Sequence, residues 1–233
     1  MELAVAIAVI ALLASMLIPA VQKARQKSWR ITCLGHMMML GTGYRIWAAD
    51  HGDLGPAQAP KTNGGWSELL TNSNAGQYCW KYYAGLKENL GESPQVVVCP
   101  SDERKPAANF NAAFKDNSTV SYFVGVGAND VYPQAIAAGD RNLGRGTVPD
   151  PKYGYSPTNG SGNDVIIFTN TPVCWSLKMH SHGDPIGAGN ILLGDGSGQQ
   201  MSSASFRENW LKNAQTGTNC SGTNQGGIRL VFP

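Results

Sequence analysis

The sequence of 233 residues lacks the features by which nucleic-acid-binding proteins and many enzymes are recognised. Its formal net charge is only +2, which is too small to favour a nucleic-acid partner, and no stripe of interleaved basic and aromatic residues is present. It also lacks the GxSxG, HExxH, P-loop and dinucleotide-binding motifs, and any internal repeat of solenoid length. We therefore predict a protein that binds no nucleic acid and is not an enzyme.

Charge is also absent from the N-terminal region, since residues 3–21 carry no charged side chain and a single polar one, Ser15. A helix of these nineteen residues is about 28 Å long, which matches the ~30 Å hydrocarbon core of a bilayer. No basic residue precedes this run, unlike a signal peptide, and four follow it: Lys23, Arg25, Lys27 and Arg30. We predict a membrane-spanning helix. We also expect that a basic leader has been removed, because the Gly-, Asn- and Ser-rich remainder with its five cysteines is typical of an exported domain.

An acidic residue, Glu2, lies immediately before the apolar run. A carboxylate that is drawn to the centre of a membrane costs on the order of 2.5 to 3.5 kcal/mol. Two interpretations remain open from the residues alone. Glu2 either lies in the headgroup region at little cost, or it pairs with the N-terminal amino group of a neighbouring chain within a helix bundle, where it would set the axial stagger between subunits.

The apolar run continues into an amphipathic segment. Pro19 lacks a backbone donor, so it predicts a kink or a locally melted turn. Beyond it, apolar residues recur at three- and four-residue spacing and predict one buried helix face: Ile31, Leu34, Met38, Gly41 and Tyr44 or Trp47. His51-Gly52-Asp53 is a stop signal. We predict a kinked helix over residues 1–53, with a hydrophobic half over 1–21 and an amphipathic half over 22–53, followed by a globular head over 54–233.

The head has the pattern of an α+β domain, in which we expect an antiparallel sheet with long loops to pack against the long helix. Short helices are predicted over residues 66–70 and 78–89, and a further helix, capped by Ser203 or Ser205, through residue 213. Strands are predicted over 95–99, 120–127, 164–169, 190–193 and 228–232. Residues 139–164 are rich in Gly, Pro and Asn and predict a long surface loop.

Residues 2–20, ELAVAIAVIALLASMLIPA, resemble the N-terminal segment of type IV pilins and type II secretion pseudopilins, in which a glutamate near the processed end begins a long apolar helix. Four motifs in the head resemble a large-headed branch of pseudopilin-like proteins: Cys99-Pro100-Ser101-Asp102, Ser121-Tyr122, Gly139-Asp140-Arg141-Asn142 and Gly194-Asp195-Gly196. Two features depart from the family. Its glutamate follows four residues of the mature chain, whereas only Met1 precedes it here, and its histidine about nine residues before Asp-Gly has only a loose counterpart in His182.

The resemblance implies a pilin-like fold and a structural subunit that polymerises with copies of itself into an extracellular type IV pilus-like filament. It implies insertion in the inner membrane before assembly, and as partners a prepilin peptidase and a pilus or type II secretion assembly machinery. The residues expected in the filament core are Glu2, Leu3, Val5, Ile7, Val9, Leu12, Leu13, Leu17 and Pro19. A pseudopilin of a type II secretion system is the alternative, and a membrane-anchored extracytoplasmic metal-binding protein or enzyme is a second alternative.

The resemblance also pairs Cys33 with Cys99, which implies a disulfide that fixes the head to the helix. Small buried thiols are the alternative. The other cysteines are Cys79, Cys174 and Cys220, and with five cysteines at least one is free unless it pairs between subunits.

The pattern His180-Ser181-His182, with Asp184, is the most enzyme-like feature, because residues two apart on a strand point the same way and two histidines with a carboxylate can bind zinc. Such a pattern arises often by chance. We therefore expect that His180 and His182 are exposed or hydrogen-bonded loop residues and that they bind no metal. Replacing both by alanine should have little effect on folding or filament assembly. Asp195 begins a run, Asp-Gly-Ser-Gly, that predicts a hairpin turn. We expect no cofactor, although the resemblance implies calcium near Asp195 as an alternative, because some pseudopilins are calcium-dependent.

Overall fold

The computed structural model describes residues 1–71, 75–168, 170–181, 186–211 and 227–233. The N-terminal helix, α1, extends over Glu2–Asp50 and is capped by His51. Residues 1–25 of the chain are all exposed. The apolar window of this helix is long and apolar enough to cross a membrane, and none of it is buried within the chain.

Pro19 lies inside α1, and the helix is continuous through it. The alternative of a locally melted turn at this residue is therefore wrong for the chain by itself, and the predicted kink stays a prediction. A proline removes one backbone hydrogen bond and crowds the preceding turn. Helix formation is cooperative, so the intact hydrogen bonds on either side hold the segment helical.

The second half of α1 packs on the head with a buried face that differs in part from the predicted one. The buried residues are Cys33, Met37, Leu40, Gly41, Gly43 and Trp47. The prediction was right at Gly41 and Trp47 and wrong at Ile31 and Met38, which are 65% and 45% exposed. The observed face is rotated by about one residue, or ~100°, because Cys33 and Met37 turn inward in place of Ile31 and Met38.

The head contains two antiparallel sheets in the described part of the chain. The larger has the order β4-β8-β1-β2-β6-β7 and comprises β1 (Tyr122–Gly125), β2 (Ile136–Asp140), β4 (Asn163–Ile167), β6 (Ala188–Leu193), β7 (Gly198–Ser202) and β8 (Ile228–Phe232). The smaller pairs β3 (Leu143–Arg145) with β5 (Val173–Trp175). The α+β class, the long helix and the antiparallel sheet are thus confirmed.

The large sheet is covered on both faces, as the alternation of its side chains requires. In β1, Tyr122 and Val124 join the core beneath α1, whereas Phe123 joins the core on the opposite face. In β6, Leu192 joins the core beneath α1 and Ile191 joins the core on the opposite face. The helix lies on β2, β6 and β7, so the head and the helix share one continuous core.

Several predicted elements of the head differ from the observed ones. The 95–99 segment is a 3-10 helix over Pro94–Val97 rather than a strand, and the predicted loop over 139–164 contains β3 and the end of β2. Strands β2, β3, β5 and β7 were not predicted. The predicted short helices are found in part, as a 3-10 helix over Ser67–Thr71 and as α2 over Cys79–Ala84.

The predictions for the C-terminal part of the head are confirmed in part. Strand β8 has the predicted bounds, and residues 194–197 form the predicted turn between β6 and β7, with Gly196 at φ +82°. The residue that caps α3 (Ser203–Ser205) is Ser202, whose hydroxyl oxygen accepts from the Ser205 N–H. A π-helical turn over Phe206–Leu211 follows, and the rest of the helix predicted through 213 lies outside the described residues.

Two glycines of α1 provide a test of the helix–sheet contact. A Cβ at Gly41 would lie 2.9 Å from Leu192 Cδ1 and 3.1 Å from the Gly196 Cα atom, whereas a Cβ at Gly35 would meet nothing within 4 Å. Alanine in a helix interior stabilises by about 0.5–1 kcal/mol relative to glycine. We expect Gly35→Ala to raise the free energy of unfolding by about this amount. Gly41→Ala should lower it by about 1–3 kcal/mol, because the Gly196 backbone cannot move aside easily.

The measurement is denaturant unfolding of the full chain in detergent, followed by tryptophan fluorescence. Gly35→Ala is the matched control, since it makes the same change in the same helix. A Gly41→Ala protein as stable as Gly35→Ala would mean that α1 is not held tightly on the turn between β6 and β7.

Candidate functional sites

The hydrophobic half of α1 is an uncovered apolar surface. The predicted core residues Leu3, Val5, Ile7, Val9, Leu12, Leu13 and Leu17 are between 52% and 75% exposed. Soluble monomers rarely leave so large a contiguous apolar surface open to water. Glu2 lies in the first turn of this helix, where a carboxylate is favoured by the helix dipole.

A second apolar surface, which we call the exposed stripe, continues along α1 beside the head. It consists of Ile31, Met38, Met39 and Ile46, which are between 45% and 65% exposed. At ~100° per residue they fall within an arc of about 100°, and Met38, at the edge of this arc, also lies close to Gly198 of β7. Basic residues from Lys23 to Arg30 separate this stripe from the hydrophobic half.

Beneath the sheet, four potential metal ligands converge from four separate segments. Cys33 lies on α1, Cys99 follows the 3-10 helix Pro94–Val97, Asp140 ends β2, and His180 lies in the 3-10 helix Met179–Ser181. One ligand atom from each lies within 4.8 Å of the other three, and this is the one such group among the described residues. We refer to these four residues as the junction cluster.

The atoms of the junction cluster are in close contact and shielded from water. Cys33 Sγ lies 3.2 Å from Asp140 Oδ1, and His180 Nε2 lies 3.3 Å from both Cys99 Sγ and Asp140 Oδ2. Cys33, Cys99 and Asp140 are at most 1% exposed, and the side chain of His180 is 0% exposed.

Donors surround the junction cluster and fix the orientation of its side chains. The Asn190 N–H donates to Asp140 Oδ2 at 2.6 Å, and the Ser101 N–H donates to Cys99 Sγ at 3.4 Å. The hydroxyl of Tyr122 lies 3.4 Å from Cys33 Sγ. Such contacts stabilise negative charge on the oxygen and sulfur atoms.

The protonation of the metal-free cluster follows from its burial. Burial raises the pKa of the Cys33 thiol, and so do the neighbouring Cys99 and Asp140. Burial also raises the pKa of Cys99. Burial by itself lowers the pKa of His180, but the Asp140 carboxylate outweighs it and the pKa is raised to about 10. The metal-free thiols are therefore protonated at neutral pH, which makes them poor nucleophiles.

A buried ion pair clamps the two segments that carry Cys99 and Asp140. Arg141 Nε lies 2.7 Å from Asp102 Oδ2 and Arg141 Nη2 lies 2.8 Å from Asp102 Oδ1. The guanidinium carbon of Arg141 also lies 3.4 Å from the centre of the Tyr153 ring. Burial alone would raise the pKa of Asp102, but the hydrogen bonds and charge of Arg141 outweigh it and lower the pKa.

The structure brings Cys33 and Cys99 together as the resemblance implied, but it contains no bond between them. Both are free thiols, as are Cys79 and Cys174. Cys220 lies outside the described residues. The two predicted disulfide partners therefore belong to a larger polar cluster, in which Asp140 and His180 contact their sulfur atoms.

Of the two predicted environments for His180, exposed or hydrogen-bonded, the structure has the second, because the side chain lies in the short 3-10 helix Met179–Ser181 and is fully buried against Asp140. Alanine at this position would remove these buried contacts, so we no longer expect it to be tolerated. His182 and Asp184 lie outside the described residues. Asp195 is not part of the junction cluster; its Oδ1 accepts from the Ser197 N–H at 2.8 Å and closes the predicted turn.

Asp140 was missed as a site residue. No two members of the junction cluster lie closer than 40 residues along the chain, so no short metal-binding motif marks them. The available signal was in the motifs, since Cys99-Pro100-Ser101-Asp102 and Gly139-Asp140-Arg141-Asn142 meet through two pairs of side chains, Cys99 with Asp140 and Asp102 with Arg141.

Comparisons of the chain with family models, curated proteins and solved structures find no match. The relation to pilins therefore stays a prediction from the residues.

The ion pair between Asp102 and Arg141 predicts a pH-dependent stability. Asp102→Asn leaves the buried Arg141 without its carboxylate, so we expect a loss of about 3–5 kcal/mol in the free energy of unfolding near neutral pH. The folded-state pKa of Asp102 is below the unfolded value of about 3.9. The contribution is therefore fully present above this value and disappears as the pH falls through the folded-state pKa.

The difference between the wild type and Asp102→Asn should accordingly shrink below about pH 4. Glu103→Gln is the control, because its carboxylate is 67% exposed and pairs with Lys178. That variant should change stability by less than about 1 kcal/mol. Equal stability of wild type and Asp102→Asn at pH 7, measured by guanidinium unfolding, would contradict the clamp.

Proposed function

We propose that this chain is a structural subunit that polymerises through α1 into an extracellular type IV pilus-like filament. The hydrophobic half of α1 would form the filament core, and the heads would form its outer wall. The observation that carries the proposal is that this half is apolar throughout and has no cover within the chain.

A bilayer can cover the hydrophobic half before assembly, because the lengths match. The inner membrane is therefore the expected location of the precursor. Once the subunit leaves the membrane, the apolar side chains need a new cover. Neighbouring copies of the same helix are the partner that would supply it in equal number and at the same spacing.

The exposed stripe favours self-association over a simple membrane anchor. From Ile31 to Ile46 the stripe is about 22 Å long, and it lies beyond the basic residues, beside the head. Lipid tails do not reach this level if residues 3–21 span the bilayer. The stripe and the hydrophobic half lie on the same uninterrupted helix. A second copy of α1 packed alongside would therefore cover both surfaces.

The same surfaces fit a pseudopilin of a type II secretion system, in which the polymer is a short piston. Electron microscopy of native cells distinguishes the two, because the pilus hypothesis requires long surface fibres. The membrane-anchored enzyme is disfavoured, since the four side chains of the junction cluster are buried within the head.

The first test concerns Glu2. If its carboxylate pairs with the amino group of an incoming subunit, Glu2→Ala should leave membrane insertion unchanged and sharply reduce the number of filaments. Glu2→Gln keeps the hydrogen-bonding capacity and should retain part of the assembly. Membrane fractionation and electron microscopy measure the two effects separately. Normal filaments from Glu2→Ala cells would place the carboxylate in the headgroup region and remove its role in assembly.

The second test concerns the exposed stripe. Ile31→Glu puts a carboxylate into the proposed subunit contact, where its burial costs several kcal/mol, so filaments should be lost while the folded head persists. Val148→Glu is the matched control, because Val148 is a 77% exposed apolar residue of the head. Its filaments should be normal. Filaments from Ile31→Glu cells equal to those of the control would mean that the stripe contacts no other subunit.

A further inference from the structure

We propose that the junction cluster, Cys33, Cys99, Asp140 and His180, binds one Zn²⁺ ion as a closed structural site that fastens the head to α1. The inference goes beyond the proposed function and does not depend on it, because an anchored monomer would gain the same fastening.

The spacing of the ligand atoms is close to that of a tetrahedral zinc site. Zinc lies about 2.3 Å from sulfur and about 2.0–2.2 Å from nitrogen or oxygen, so neighbouring ligand atoms of a tetrahedron are about 3.3–3.8 Å apart. Cys33 Sγ lies 3.2 Å from Asp140 Oδ1, and His180 Nε2 lies 3.3 Å from Asp140 Oδ2 and from Cys99 Sγ. One ligand atom from each residue lies within 4.8 Å of the other three. These contacts link all four residues in one chain, from Cys33 through Asp140 and His180 to Cys99.

The donor set selects the metal. Two thiolates, one imidazole and one carboxylate are ligands that zinc accepts in four-coordinate sites. Calcium and magnesium require six or more oxygen ligands, or several bound waters, and the buried cluster supplies neither. The calcium alternative therefore does not apply to these residues.

The surroundings of the cluster suit bound metal. Backbone N–H groups of Ser101 and Asn190 donate to Cys99 and Asp140, and the Tyr122 hydroxyl contacts Cys33. Donors of this kind orient metal ligands and offset the negative charge of thiolates and carboxylates. The chain provides one for each of its three anionic ligands.

A disulfide between Cys33 and Cys99 would explain the position of only part of the junction cluster. It would use two of the four side chains and leave Asp140 and His180 as an ion pair with both side chains 0% exposed. Burying such a pair costs several kcal/mol per ion, which the mutual attraction repays only with good geometry. A zinc ion uses all four side chains, and with four protein ligands it has no position open to substrate, which is the mark of a structural site.

The site would connect parts of the chain that are distant in sequence. Its ligands come from α1, from the segment after Pro94–Val97, from β2 and from the 3-10 helix Met179–Ser181. Metal binding occurs in the folded chain, so its free energy adds to the stability of this arrangement. The thiols bind as thiolates and release their protons on binding.

The test is metal analysis of the full chain, purified in detergent without chelator and with a thiol reductant. We expect about one Zn²⁺ per chain, and we expect its removal by a chelator to lower the melting temperature. Replacing zinc with Co²⁺ should give thiolate-to-metal charge-transfer absorption and the intense visible bands of tetrahedral cobalt. Wild-type protein that shows neither zinc nor these bands overturns the proposal, whatever the variants do.

The variants compare two buried cysteines. Cys33→Ser and His180→Gln should each reduce the zinc content from about one per chain to near zero. Cys79→Ser is the matched control, because Cys79 is also 0% exposed in the same core but is not in the cluster. It should keep its zinc. Equal zinc in Cys33→Ser and Cys79→Ser, or a Cys33–Cys99 disulfide in metal-free native protein mapped without reductant, would refute the site.

Discussion

The rest of the structure depends on the attachment of α1 to the head by its second half alone. The first 25 residues are exposed and make no contribution to the core. The attachment begins at Arg30, whose guanidinium donates to the carbonyls of Gly189 and Met201 at 3.2 and 3.3 Å. It continues through Cys33 and ends near Trp47. Any motion at this contact would be transmitted along the whole hydrophobic half.

Polar groups at this attachment give it a specific geometry. Apolar packing alone tolerates small shifts, because hydrophobic side chains of suitable size fit in several ways. The junction cluster and the pair between Asp102 and Arg141, which holds the segments of Cys99 and Asp140 together, have directional contacts. An unpaired Asp140, Asp102 or Arg141 would be a costly buried charge. We infer that the junction cluster, through Cys33, fixes the position of α1 on the sheet, while the apolar core supplies most of the burial.

The sequence predicted the parts of this molecule that depend on local pattern. The long helix, strand β8 and the turn at Asp195 follow from hydropathy, β-branched residues and glycine. Prediction from the sequence failed where contacts between distant parts of the chain determine the local structure. Cys33 rather than Ile31 faces the core, and residues 94–97 adopt a 3-10 helix although they are apolar enough for a strand. The junction cluster could not be derived, since its spacing follows from the topology of the sheet and not from any short motif.

The two sides of α1 explain how one helix can serve the subunit and the polymer at once. Cys33 and Met37 are buried against the chain's own head, whereas Ile31 and Met39 are exposed and lie on the exposed stripe. In the proposed filament a neighbour would therefore bind α1 without competing with the head. Rigid attachment then has a purpose, because the register of the helices in the core would determine where each head lies on the outer wall. A loosely held head would lose that relation, even if every hydrophobic half were packed correctly.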